Sequence, residues 1–229
     1  MDVNKQIKPT HNDKMVAILR RLKPEMHGAV VEAMESRGIK YGLNYGVAVP
    51  VIRQVAREYA PDPGLAAYLF RQDVRELKLA AIYIDDPKAV TAPRMEAWAS
   101  AMPTAEIMEH AAMNLFYASP DAGQVIPKWL TGDNRMRWKG ALHMIGRAGV
   151  KGTLDASTAS RYLDNTEEFL AEKNNIPVRA AVYALCGLAR SCDSLSSKIS
   201  ELTGEKFPDA APEVREILEE TAALLNNKI

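Results

Sequence analysis

Residues Arg137 to Ile145 read RWKGALHMI, and the same order of residue types returns twice more, as VRELKLAAI over Val74 to Ile82 and VRAAVYAL over Val178 to Leu185. Each stretch opens on a basic residue and continues with small or aliphatic residues at helical spacing. Small residues let two helices approach closely, so three such helices predict helices stacked side by side. A basic residue at a fixed place in successive stacked helices would line one surface. The offsets, 62 residues from Arg75 to Arg137 and 42 from Arg137 to Arg179, fit helix-pair repeats of roughly forty residues with an irregular central pair. Repeats of that kind build a superhelix with a concave face.

The rest of the chain agrees with this reading. Apolar residues recur at helical spacing in Met15, Ile18, Leu19 and Leu22, and again in Leu77, Ala80, Ala81 and Ile84, as a buried stripe requires. Tyr45 to Val49 is the one short stretch with strand character. Pro24, Pro50, Pro63, Pro103, Pro127, Pro177 and Pro212 each fall near the start of a helical segment, where a missing amide proton costs little. Gly38, Asp86-Pro87 and Gly152 close segments. About a dozen helices with short loops and no Ser/Gly-rich linker are expected. The predicted fold is all-α, an α-solenoid of antiparallel helix pairs over residues 1–229 as a single domain.

The 229 residues carry 29 Lys and Arg against 29 Asp and Glu and are 47% hydrophobic, the usage of a folded globular chain. The neutrality is an average of unlike parts. Residues 1–60 hold ten cations against six anions, 61–125 five against nine, 126–151 six against one, and 152–229 eight against thirteen. No apolar run reaches the length of a signal-peptide core or a membrane span, so a cytoplasmic protein with no membrane association is expected. Cys186 and Cys192 have neither CxxC nor scaffold spacing and read as two reduced thiols. The histidines His11, His27, His110 and His143 are scattered without ligand spacing, so no metal and no cofactor is expected. GxGxxG, GxxxxGK[ST] and GxSxG are absent from the sequence, which argues against common small-molecule enzymes.

The positive balance concentrates in IPKWLTGDNRMRWKG, Ile126 to Gly140. Lys128, Arg135, Arg137 and Lys139 are cations suited to phosphates. Trp138 is an indole that could stack on a base or sugar, whereas Trp129 reads as packing. A solvated helix face is the alternative reading of such a charge cluster.

Two motifs resemble those of the AlkD-like DNA alkylation repair proteins, HEAT-like helical solenoids that include DNA glycosylases removing alkylated purines. Tyr45-Gly-Val-Ala-Val-Pro-Val-Ile-Arg53 resembles that family's early G[IV]xxPxxR turn, and Ile126-Pro-Lys-Trp-Leu-Thr-Gly-Asp-Asn134 resembles its central IPKW...DN loop. The similar helix pattern runs from roughly residue 12 to 205.

The resemblance implies a basic concave groove holding double-stranded, alkylated DNA, with a protein that acts as a monomer. It also implies a catalytic carboxylate beside the damaged nucleotide. The best-matched position is Glu109, with Glu106 one turn earlier. The family's flanking tryptophans fall at Thr104 or Ala105 and near Tyr183, and its backbone-contacting arginine falls at Lys139, with Arg179 able to serve the same surface. The resemblance implies a DNA N-glycosylase or, as an alternative, a non-catalytic DNA-binding relative. The neutral charge balance and the acidic C-terminal third of a helical-repeat chain leave a scaffold for a protein partner as a further alternative.

Overall fold

In the computed structural model, which describes residues 9–191, 193–205 and 211–226, the chain forms thirteen α-helices. They are α1 His11–Leu22, α2 Gly28–Glu35, α3 Val49–Arg57, α4 Pro63–Phe70, α5 Arg75–Ile84, α6 Ala92–Ala101, α7 Ala105–Asn114, α8 Ala122–Thr131, α9 Arg135–Val150, α10 Ala156–Glu172, α11 Val178–Ala189, α12 Asp193–Glu205 and α13 Pro212–Asn226. Contacts group them into two compact units, Met1–Ala89 and Val90–Ile229. Cys192 lies outside the described residues.

The ends of the helices follow local chemistry. Thr10 and Asp13 cap α1 reciprocally, and the Asp62 carboxylate accepts from the Leu65 N–H at 2.9 Å to start α4. Asn134 accepts from the N–H groups of Met136 and Arg137, at 3.0 and 3.1 Å. Such side chains satisfy first-turn donors that have no partner inside the helix. Gly152, at φ +63°, closes α9 in a left-handed turn that glycine adopts without strain. Pro50 and Pro63 open α3 and α4 as expected, but Pro127 sits inside α8. Its ring removes the bond to the carbonyl of Gly123, one turn back.

In the first unit, α1 packs on α3 and α4, and α5 packs on both α3 and α4. Ile18, Leu22, Ile52, Leu65, Leu69, Leu77 and Ile84 form the buried interior. Tyr45 to Val49 is not a strand. Leu43 makes one isolated bridge to Val74, and the loop that follows is held by a buried side chain. The Glu76 carboxylate, wholly buried, accepts from the N–H of Tyr45 at 3.2 Å and of Val47 at 3.3 Å. Arg75 is also buried, 3.1 Å from Glu76, and donates to the Val47 carbonyl at 2.9 Å. Arg75 is therefore internal and lines no surface, contrary to the repeat reading. Gly46, at φ +69°, turns where a Cβ would overlap the His27 carbonyl.

In the second unit, α7, α9, α11 and α13 lie side by side in one row, and α8, α10 and α12 pack against that row. Trp98 of α6, Phe116 after α7 and Trp129 of α8 pack in series in this unit, tilted and then edge-on, with centroids 6.4 and 6.2 Å apart. Small residues make the α9–α11 seam possible. A Cβ on Gly149 would overlap the Gly187 carbonyl, and one on Gly187 would overlap the backbone of Gly146. Because backbone cannot move aside like a side-chain tip, Gly187→Ala is expected to cost about 3 kcal/mol, the upper part of the range for overpacking. A denaturant midpoint unchanged in that variant would mean the helices part freely.

Candidate nucleic-acid interface

Helix geometry divides the basic cluster between faces. Residues two apart on an α-helix point to opposite sides, so Arg137 and Lys139 diverge although one residue separates them. Arg137 turns toward α6. Its Nε and one terminal nitrogen both lie 3.1 Å from one Glu96 oxygen, and that terminal nitrogen also donates to Ser100 at 3.0 Å. The other Glu96 oxygen accepts from Lys128 and from the Trp129 indole, each at 3.0 Å. Burial raises the Glu96 pKa, but Lys128, Trp129 and Arg137 outweigh it and hold the carboxyl below its ordinary value. Glu96 therefore gathers two of the four cations and neutralises part of the positive charge.

Arg135 is exposed and donates to the Asn175 carbonyl at 2.9 Å. Trp138 is not available as an aromatic wall. It is 8% exposed, its indole N–H donates to the Gly132 carbonyl at 2.6 Å, and its ring meets Phe169 edge-on at 5.4 Å. Lys173 lies over the same ring at 5.7 Å. An indole packed in this way cannot stack on a base. Trp129 is buried, as its packing role required.

Lys139, His143 and Arg147 recur every four residues along α9, which places them on one face. Lys139 pairs with Glu109 of α7. The His143 Nδ1 lies 2.8 Å from the Lys139 carbonyl. A carbonyl can only accept, so the Nδ1 carries the proton. Burial lowers the pKa of His143, as does the charge of Lys139. The backbone bond and the Glu109 carboxylate act in the opposite sense and are outweighed. The ring is therefore neutral near pH 7.

Arg147 lies 5.9 Å from the Tyr117 ring, and its buried Nε has no hydrogen-bond partner. From α11, Tyr183 reaches His143 at a ring distance of 5.8 Å, and Arg179 stands exposed one turn before Tyr183. Glu106 lies in the first turn of α7, three residues before Glu109.

Of the residues expected from sequence, the structure brings Glu109, Lys139 and Tyr183 together around His143, with Arg179 alongside on α11. It directs Lys128 and Arg137 to Glu96 and puts Trp138 in the core. Sequence reasoning passed over His143 and Arg147, although their spacing from Lys139 carried the signal. Glu96 and Tyr117 had no such signal, because their roles depend on neighbours distant in sequence. Among the described residues, no cluster of three or more His, Cys, Asp or Glu is placed to hold a metal, and no helix is long and apolar enough to cross a membrane.

A family model described as DNA alkylation repair enzyme matches residues 18–185. A solved structure, described as a new family of proteins related to the HEAT-like repeat DNA glycosylases with affinity for branched DNA structures, matches with a TM-score of 0.71 at 17% identity. That match covers 90% of this chain and 92% of the other. At such an identity the likeness shows the HEAT-like fold. Among curated proteins none matches this chain at a significant level.

Proposed function

The chain belongs to the DNA alkylation repair enzyme family, and from that membership we propose that it binds duplex DNA along the face formed by α7, α9 and α11. The observation that carries this reading is the row of Lys139, His143 and Arg147 on α9, flanked by the exposed Arg179 of α11. Lys139 and Arg147, cations about two turns apart, can with Arg179 follow the phosphates of a strand, and phosphate contacts supply most of the affinity of a protein that does not read sequence. Arg147 suits this role because its side chain is only partly buried, with the guanidinium against the Tyr117 ring. The solved relative's affinity for branched DNA favours the same class of partner.

A second reading, excision of an alkylated purine, is favoured by Glu109 lying on that face beside His143. Loss of a cationic base leaves oxocarbenium charge on the sugar, which a fixed carboxylate stabilises. In the free protein Glu109 is committed to Lys139. A DNA phosphate that draws Lys139 away would release the carboxylate where the sugar lies, so binding and catalysis would be coupled through this ion pair.

Fluorescence anisotropy with plain and alkylated duplexes over a salt series tests the first reading. A log–log slope of about −3 to −6 is expected, at about 0.9 per phosphate neutralised. A flat salt dependence, or no binding at low salt, would remove DNA as the partner and favour a protein scaffold. Release of alkylated purine by the same protein, lost in Glu109→Gln with binding retained, would establish the second reading. Equal release by that variant would exclude Glu109 from the chemistry.

A further inference from the structure

Beside the α9 face lies a groove of about 530 Å³, floored by α11 and walled by α13 and the end of α9. Its volume is within the range of small-ligand sites, but its shape is that of a trench. Arg179, Tyr183, Cys186 and Arg190 succeed one another along its floor, with Glu220 and Leu224 of α13 on the wall. Arg179 and Arg190 are eleven residues apart, just over three full turns. They therefore share one side of α11 and stand about 16 Å apart along its axis, at 1.5 Å per residue. Between them the floor offers the Tyr183 ring and the small surfaces of Cys186 and Gly187. Leu224 is 49% exposed on the wall, an apolar side chain with water as its neighbour.

We propose that this groove holds a short single-stranded segment of DNA leaving a duplex bound on the adjoining face, with a base stacked on Tyr183 and non-adjacent phosphates on Arg179 and Arg190. The proposal rests on the duplex-binding reading above, since α11 contributes Arg179 to both surfaces. A cation at each end with an aromatic and apolar middle is the combination that binds single strands without regard to sequence: phosphates meet charge while bases meet a flat or apolar surface. A duplex does not fit such a trench, because its bases are already stacked on one another and its two phosphate strands lie outside. Glu220 disfavours a phosphate at mid-groove and can accept from the amino edge of a base. The Gly149–Gly187 seam fixes the floor, because α11 cannot approach α9 more closely than backbone contact.

The test compares a plain duplex with the same duplex carrying a single-stranded branch, by anisotropy, for the wild type, Arg190→Glu and Leu224→Glu. Both replaced side chains are exposed, so the fold is retained. The wild type is expected to prefer the branched DNA, and each variant to lose that preference by about five- to a hundredfold, the effect of one stacked base or more. Equal weakening on both DNAs would overturn the groove while leaving the duplex-binding reading standing, and unchanged branch binding would overturn it also. Failure of the wild type on both DNAs would instead overturn the reading on which the groove depends. With 2-aminopurine at the base of the branch, fluorescence should be quenched by the wild type and by Tyr183→Phe but not by Tyr183→Leu. No quenching by the wild type would reject stacking on Tyr183.

Discussion

Replacing Glu76 with alanine is expected to lower the unfolding free energy by about 3 to 5 kcal/mol, the range found when one partner of a buried ion pair is removed. Glu76 is fully buried, and its carboxylate accepts from Arg75 and from the backbone of Tyr45 and Val47. Truncation would take from Arg75, only 4% exposed, its Glu76 partner, and would orphan two N–H groups, of which that of Val47 belongs to a buried residue. The Val47 carbonyl would still hold Arg75, but a neutral acceptor cannot replace the lost counter-charge. A urea titration measures the effect, and a shift in midpoint at unchanged slope would place it in the folded state. Replacing both residues, Arg75→Met with Glu76→Leu, should cost less than Glu76→Ala, because the buried charge that has lost Glu76 is then removed as well. A loss below about 1 kcal/mol in the single variant would mean that the pair is as solvated as a surface one.

The largest functional effect is expected from Lys139→Glu combined with Arg147→Glu. Two cations on the α9 face become anions, one of them beside Glu109. The salt-dependence slope for duplex DNA should fall by about two, one for each phosphate contact removed. Affinity at low salt should fall at least about a hundredfold, since reversal adds repulsion to the lost contacts. Lys128→Glu makes a comparison that separates structure from sequence. Lys128 belongs to the same basic stretch, yet its side chain is 70% exposed and directed to Glu96 on α6. Its reversal should weaken binding much less than either change on α9. An equal loss from Lys128→Glu would mean that DNA follows the basic stretch as a whole, and that the α9 face has no special part.

The helices were legible because their determinants are local. Apolar spacing marked Ile18 to Leu22 and Leu77 to Ile84, prolines opened α3 and α4, and Gly152 closed α9. The small residues within Arg137 to Ile145 and Val178 to Leu185 foretold closely packed helices, although the seam glycines Gly146, Gly149 and Gly187 lie just beyond those stretches. Tyr45 to Val49 misled because alternation of apolar residues looks the same in a strand and in a loop whose N–H groups meet a buried carboxylate. Pro127 misled because a proline inside a helix and one at its start differ only in how far the preceding turn extends.

Family membership and the all-helical, HEAT-like fold were determined by the sequence itself, since residue order fixes helical periodicity, caps and the two motifs around Arg53 and Trp129. Which charges act together was decided only by tertiary structure. Arg137 and Lys139 are near neighbours in the chain, but the 100° turn per residue sends one to Glu96 and the other to Glu109. Trp138, between them, is carried into the core against Phe169. His143 and Arg147 acquire their place from α7, Tyr117 and α11. A side chain's direction depends on helix phase, but its partner depends on which helix packs opposite, and that follows from contacts between residues tens of positions apart.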